Sequence, residues 1–179
     1  MKTLRNAVPL LALAALAAAG CFLVSGQFVV NYVFPKSPQP LVGGGTLTGV
    51  IVDLNTVSEY NDHKGDLKRV DDVALVGEFK NVTTQPTKVE AWLVADGTQS
   101  LTDTQLRANG VKLWGPLDLA ASGSEHVDWN RSSSLFVGRQ ALINEIKGDG
   151  KFSIYIIANG IFNLTVTDGA VIAMVSAAK

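Results

Sequence analysis

Alternating apolar and polar positions run through most of the chain and predict a protein built mainly of β-strands. In residues 27–34, Phe28, Val30 and Tyr32 fall on one face and their neighbours fall on the other. Period-two alternation of this kind is typical of a strand with one buried face. The same reasoning predicts further strands at residues 46–54, 73–82, 87–96, 111–114, 124–130, 151–158, 161–167 and 170–177.

Turn-forming residues suggest how the strands connect. The segment "TTQP" separates strands 73–82 and 87–96, which we expect to form an antiparallel pair. Asn159-Gly160 and Asp168-Gly169 separate the last strands and favour two-residue hairpins, so this end of the chain is expected to be a meander. The proline- and glycine-rich segment 35–45 is expected to be a loop.

Two segments have the features of short helices. Residues 58–72 are polar, with a few apolar side chains at helical spacing. Residues 132–150 begin with serines, place Leu142 and Ile146 four positions apart and contain a stop signal at Gly148. Both segments are expected to be helical.

Many strands with two short helices predict one mainly β domain. We expect a single antiparallel β-sandwich of immunoglobulin-like architecture at residues 21–179, with a strand core at about 27–176. The chain has one cysteine and therefore lacks the paired cysteines typical of true immunoglobulin domains. The expectation concerns the architecture alone.

The first 20 residues have the three parts of a bacterial export signal. Lys2 and Arg5 form a positive start, residues 10–16 are apolar, and residues 17–20 are small. No acidic side chain lies in this segment. It is therefore expected to be removed from the mature protein.

The signal ends directly on Cys21, the only cysteine of the chain. This ending resembles the lipobox of bacterial lipoproteins, with matching residues at Ala19, Gly20 and Cys21. The sequence departs from that pattern at Ala18, where the family usually has leucine. The resemblance implies that residues 1–20 are a lipoprotein signal peptide and that Cys21 carries lipid, including a palmitate-like acyl chain.

Two other interpretations of this segment stay open. Cys21 is a small apolar residue and is also compatible with an export signal that is never lipidated. The apolar run 8–24 is just long enough for an uncleaved membrane anchor, although its proline and many alanines disfavour a spanning helix.

Two later stretches strengthen the resemblance. Residues 62–81 and 136–160 are similar to a group of bacterial lipobox-bearing β-sandwich proteins that have no assigned activity. This resemblance covers most of the mature chain and implies a location at a bacterial membrane and a β-sandwich fold. It supplies no catalytic residues.

Charge and composition exclude several classes of function. Of the 15 lysines and arginines, two lie in the first 20 residues, which leaves 13 basic against 16 acidic side chains in residues 21–179. This mild acidity without a basic stripe argues against nucleic acid or anionic lipid headgroups as partners. The chain has no phosphate-binding loop or zinc-protease motif, and no cofactor is expected. Ser124 and His126 lie two apart on a predicted strand, but no G-x-S-x-G motif is present, so we expect no enzyme.

The remaining candidates are one tryptophan and one acidic stretch. Trp92 alternates with Val89, Ala91 and Leu93, which places its ring on the opposite face, where a carbohydrate or peptide could stack. The stretch 53–72 contains the candidate cation ligands, which are Asp62, Asp66, Asp71 and Asp72. Their spacing fits no EF-hand and basic residues are interleaved with them, so we favour helix capping and solvation over metal binding.

Together these features predict a lipid-anchored protein of the bacterial cell envelope with a structural or binding role. Its first partner is the membrane, through the covalent lipid, and a protein or glycan partner is left open. The outer membrane is favoured over the inner, with the domain facing the periplasm or the exterior. The alternative is a secreted or periplasmic module that binds carbohydrate or peptide and is not lipidated.

Overall fold

The computed structural model describes residues 26–44, 46–95 and 100–178, and these residues form a mainly β structure. The strands are β1 (Gly26–Val33), β2 (Gln39–Gly43), β3 (Thr46–Thr48), β4 (Val50–Asp53), β5 (Leu67–Asn81), β6 (Thr87–Ala95), β7 (Ser100–Thr102), β8 (Val111–Leu119), β9 (Ser124–Val127), β10 (Lys151–Ala158) and β11 (Phe162–Ala177). The helices are α1 (Ser58–His63), α2 (Asp103–Asn109), α3 (Trp129–Leu135) and α4 (Arg139–Lys147). Single 3-10 turns at Leu54–Thr56 and Lys64–Asp66 flank α1.

The strands form two larger antiparallel sheets and one small one. The first sheet has the order β1-β11-β5-β9, and β2 also pairs with β11. The second sheet has the order β4-β10-β6-β8, while β3 and β7 pair with each other. Every neighbouring pair is antiparallel.

Apolar faces of the two larger sheets belong to one hydrophobic core. Alternate residues of β5 and of β6 are buried, as the sequence pattern predicts. Phe79 of β5 and Trp114 of β8 bring the two sheets into contact, with ring centroids 5.3 Å apart. Both side chains are almost completely buried. Burial of these two rings removes a large apolar surface from water and stabilises the fold.

Helices α3 and α4 pack beside β5, and α4 also contacts strands of the second sheet. Leu142 and Ile146 of α4 are fully buried, as their spacing predicts. The Ser132 hydroxyl of α3 accepts a hydrogen bond from the Leu75 backbone N–H at 2.8 Å, where β5 has no pairing with the short strand β9. A buried backbone donor is thereby satisfied by a side chain.

The expected pairing of β5 with β6 is wrong. β5 pairs with β11 and β9, whereas β6 pairs with β10 and β8. The "TTQP" segment carries the chain from one sheet to the other. The buried Asn81 side chain holds this crossing, since its amide donates to the carbonyls of Gln85 at 2.7 Å and Ala120 at 3.0 Å.

The expected meander at the end of the chain is also wrong. β11 runs without interruption through Asp168-Gly169, where the pairing with β5 contains a register shift between Thr167 and Ala170. Asp168 has the positive φ of 52° there, so the dipeptide forms a β-bulge rather than a hairpin turn. Asn159-Gly160 joins β10 to β11, which belong to different sheets.

The helices differ from the prediction as well, since the described residues contain four rather than two. The predicted helix 58–72 ends at His63, and its last residues begin β5. The predicted helix 132–150 is divided into α3 and α4, because the N–H groups of Val137 and Gly138 both donate to the Leu113 carbonyl and hold the chain on β8.

Two further elements lie outside the predicted strands and helices. β2 lies inside the proposed loop 35–45 and pairs with β11. Helix α2 follows β7, and it starts at a capping box in which the Thr102 hydroxyl accepts from the Gln105 N–H while the Gln105 side chain accepts from the Thr102 N–H. Thr-x-x-Gln is the sequence signal that could have predicted this helix.

Gly169 gives a first prediction, because a Cβ atom built there would lie 2.5 Å from Phe34 Cδ2. We expect Gly169→Ala to lower the free energy of unfolding by about 1–3 kcal/mol, the usual cost of overpacking. Gly65→Ala is the matched control, since a Cβ atom at Gly65 would have no neighbour within 4 Å. Denaturant titration measures both. If the loss is the same in a Phe34→Leu background, contact with Phe34 is not its cause.

Candidate functional site

The predicted signal peptide 1–20 and Cys21 lie outside the described residues. The first strand that the structure describes follows them closely in the sequence. β1 starts at Gly26, so residues 22–25 are all that separates Cys21 from the first strand. Gly26 lies opposite Ala177 of β11, at one end of the first sheet. Five Cα–Cα steps reach at most about 18 Å when fully extended.

A cavity of about 460 Å³ lies at this end of β1. Phe28 and His63 stand side by side in its wall, with ring centroids 4.8 Å apart. The other described residues that line it are Gly26, Gln27, Asp66, Ala177 and Ala178. The start of β1, the end of β11 and the segment after α1 therefore meet at one place.

The four candidate cation ligands are spread over several elements. Asp62 is exposed on α1, and Asp66 lines the cavity beside β1. Asp71 and Asp72 lie on β5 rather than on a helix. Among the described residues there is no group of three or more His, Cys, Asp or Glu side chains that could hold a metal ion.

Asp71 and Asp72 take part in contacts between elements. Asp71 accepts hydrogen bonds from Ser176 Oγ at 2.5 Å and Gln27 Nε2 at 3.1 Å, and it also pairs with Arg69. Its pKa is lowered, chiefly by the Ser176 hydrogen bond. Asp72 forms an ion pair of 3.1 Å with Arg139 of α4. These carboxylates therefore connect β5 with β1, β11 and α4.

Trp92 lies on the face of β6 opposite the buried Val89, Ala91 and Leu93, as the alternation predicts, and it is half-buried. Its Nε1 donates to Glu90 Oε2 at 3.0 Å. The guanidinium carbon of Arg107, from α2, lies 5.3 Å from the centre of the indole ring. This is a cation–π arrangement, and a ligand stacking on that side of the ring would have to displace Arg107.

Glu90 connects this group of side chains. Lys112 of β8 binds Glu90 Oε1 at 2.6 Å, and Arg107 lies 3.8 Å from Oε2. Arg107 also pairs with Asp103 one helical turn earlier, at 2.9 Å. The cluster therefore attaches α2 to the second sheet. Glu90 lies two residues before Trp92 on the same strand, so alternation predicts that the two side chains share a face. The local sequence gives no indication that Arg107 of α2 packs against them.

The ionisation of Glu90 gives a second prediction. Burial alone would raise its pKa, but the hydrogen bonds from Lys112 and Trp92 and the charges of Lys112 and Arg107 together lower it. A lowered pKa contributes stability that is present above the ordinary pKa and is lost as the pH falls through the folded-state pKa. We expect Lys112→Met to raise the pKa of Glu90 toward its ordinary value, so that the stability contributed by the ionised carboxylate is smaller and is lost over a narrower range of pH.

Carboxyl NMR titration of Glu90 measures that pKa directly. Lys88→Met is the control, because Lys88 lies on the same strand as Glu90 but pairs with Asp118 at 2.5 Å. An unchanged Glu90 pKa in Lys112→Met would contradict the role given to the Lys112 contact.

Ser124 and His126 both lie on β9, opposite Lys80 and Glu78. His126 Nδ1 is 3.6 Å from Glu78 Oε2, and the imidazole is largely exposed. The Asp128 carboxylate accepts from the Arg131 N–H at 2.7 Å and caps α3. His126 and Asp128 thus make a cross-strand contact and a capping contact, and Ser124 is exposed on the surface.

Within the part of the chain that the structure describes, none of the helices has the length and apolar character needed to cross a bilayer. No family model matches the chain, and no curated protein or solved structure matches it.

Proposed function

We propose that this protein is a lipid-anchored component of the bacterial cell envelope, with lipid on Cys21 and a structural or binding role rather than a catalytic one. The observation that carries the proposal is the sequence up to Cys21: a positive start, a short apolar run and small residues that end on the only cysteine. The position of β1 is compatible with this, because its first residue, Gly26, follows the proposed lipidation site by five positions.

The proposed anchor places the domain close to the membrane. Two or three acyl chains hold a protein durably on a bilayer, whereas one chain gives only marginal binding. With only residues 22–25 as a tether, β1 begins within about 18 Å of Cys21. We favour the outer membrane, with the domain on the periplasmic or exterior side.

We also propose that the two larger sheets stack as a β-sandwich of immunoglobulin-like architecture. The shared hydrophobic core and the contact of Phe79 with Trp114 support this arrangement. The helices α3 and α4, which pack beside β5, are elements additional to the two sheets of such a sandwich.

Metabolic labelling with an alkyne-bearing fatty acid, combined with the intact mass of the mature protein, tests the lipid anchor. We expect a labelled protein whose mass corresponds to an acylated chain starting at Cys21. A chain that starts near Cys21 with a free, maleimide-reactive thiol would instead indicate the secreted binding module. A mass that includes residues 1–20 would indicate an uncleaved anchor. Either result would overturn the proposal.

A further inference from the structure

The first sheet has an outer face, turned away from the core, that carries a band of apolar side chains. Val29 and Val33 of β1 are 52% and 59% exposed. Strand register places them on the same face as Met174 and Ala170 of β11. The next strand continues the band, since Ala170 lies opposite Val76 of β5. The band consists of the exposed Val29 and Val33, the partly exposed Val76, Ile172 and Met174, and Ala170, which lies between Val33 and Val76 and is buried.

The band covers β1 and β11 and ends on β5, where Asp72 lies opposite Met174 and the buried Ala74 lies opposite Ile172. Asn31, opposite Ile172, is the polar residue within it. Charged and polar groups lie at its borders: Asp71 with Gln27 and Ser176 at the end near Gly26, and the Asp72–Arg139 ion pair beside β5. Contiguous exposed apolar surface with a polar rim is typical of a membrane or protein contact.

We infer that this outer face lies against the lipid bilayer that holds the anchor. The inference rests on the proposed lipidation of Cys21. The tether ties β1, one of the strands that form the band, to within about 18 Å of the lipid headgroups. The anchored domain therefore meets the membrane surface continuously, and the apolar band gains by leaving water while Asp72, at its border on β5, keeps its ion pair with Arg139.

The orientation of β1 agrees with this arrangement. The polar group around Asp71 lies between the tether and the band, where headgroups can solvate it. Val29 and Val33 follow along the same strand face. The other sheet, with Trp92 and α2, is then turned away from the membrane and remains accessible to a partner.

Site-specific fluorescence on the full acylated chain tests the inference. Val33→Cys and Val76→Cys each place one thiol in the band, on β1 and β5, while the native cysteine is blocked by its lipid. Val29→Cys replaces either variant if that variant fails to fold by circular dichroism. Val111→Cys is the control, because Val111 is 45% exposed on β8 of the second sheet, which is turned away from the membrane. Each thiol carries a polarity-sensitive dye, in vesicles of phosphatidylethanolamine and phosphatidylglycerol with and without brominated lipid.

We expect brominated lipid to quench more than half of the emission at positions 33 and 76 and to leave position 111 unchanged. The intact mass of the same sample reports acylation, so the two proposals can fail separately. An acylated, vesicle-bound protein whose band positions are not quenched would overturn the inference alone. Shielding of both positions without vesicles, together with a dimer in sedimentation of Cys21→Ser, would also overturn it and assign the face to a second copy.

Discussion

Cys21→Ser is expected to abolish fatty-acid labelling and to release the protein from the membrane fraction. The cysteine sulfur is the atom that accepts the diacylglyceryl group in bacterial lipoproteins, and a serine hydroxyl does not replace it. None of the helices in the described part of the chain is long and apolar enough to hold the protein in a bilayer in place of the acyl chains. Labelling with an alkyne-bearing fatty acid and detergent phase partitioning measure the two effects.

A displaced cysteine provides a sharp control for this result. Cys21→Ser combined with Ser25→Cys restores one thiol four positions later, next to β1 but outside the run of small residues. We expect this double variant to stay unlabelled, because the processing site and not the thiol alone specifies acylation. The proposal is contradicted if Cys21→Ser labels and partitions like the parent protein.

The faces of individual strands could be predicted from the sequence, whereas their partners could not. Alternation correctly separated Trp92 from Val89, Ala91 and Leu93, because side chains on a strand point to opposite sides. Pairing depends on contacts between distant segments. Asn81 and Ala120, which hold the crossing from β5 to β6, are 39 positions apart in the sequence.

The last strand shows why a local turn signal can mislead. Asp168-Gly169 permits a positive φ, and a hairpin and a bulge both use it. The surroundings decide between them: the Phe34 N–H donates to the Gly169 carbonyl at 2.8 Å, and Ser37 bonds Asp168. Those partners lie more than 100 positions earlier in the sequence, beyond the reach of any local pattern.

The same limit applies to the candidate sites. The sequence predicts one helix over residues 58–72 of the acidic stretch, which would place Asp62 and Asp66 one turn apart. The structure instead places Asp71 beside Ser176 and Asp72 beside Arg139, because β5 begins at Leu67. Trp92 was found from alternation, but its coverage by Arg107 follows from the packing of α2.

Phe79→Ala is expected to give the largest loss of stability among the core variants. Phe79 is 1% exposed and packs against Trp114 across the two sheets. Truncating a buried phenylalanine costs about 3–5 kcal/mol, since apolar burial is lost and a cavity is left. Denaturant titration of the protein in mild detergent measures this loss as a lower midpoint with little change in slope.

A double-mutant cycle separates the contact between the sheets from the burial of each ring. Phe79→Leu, Trp114→Leu and the double variant should show a coupling of about 0.5–1.5 kcal/mol, as for other aromatic pairs. Val82→Ala is the surface control, because Val82 is 48% exposed, and it should change stability by less than about 0.5 kcal/mol. If the two leucine substitutions add without coupling, the rings do not pack on each other. The stacking of the two sheets that they support would then be wrong, and Phe79 would stabilise the first sheet alone.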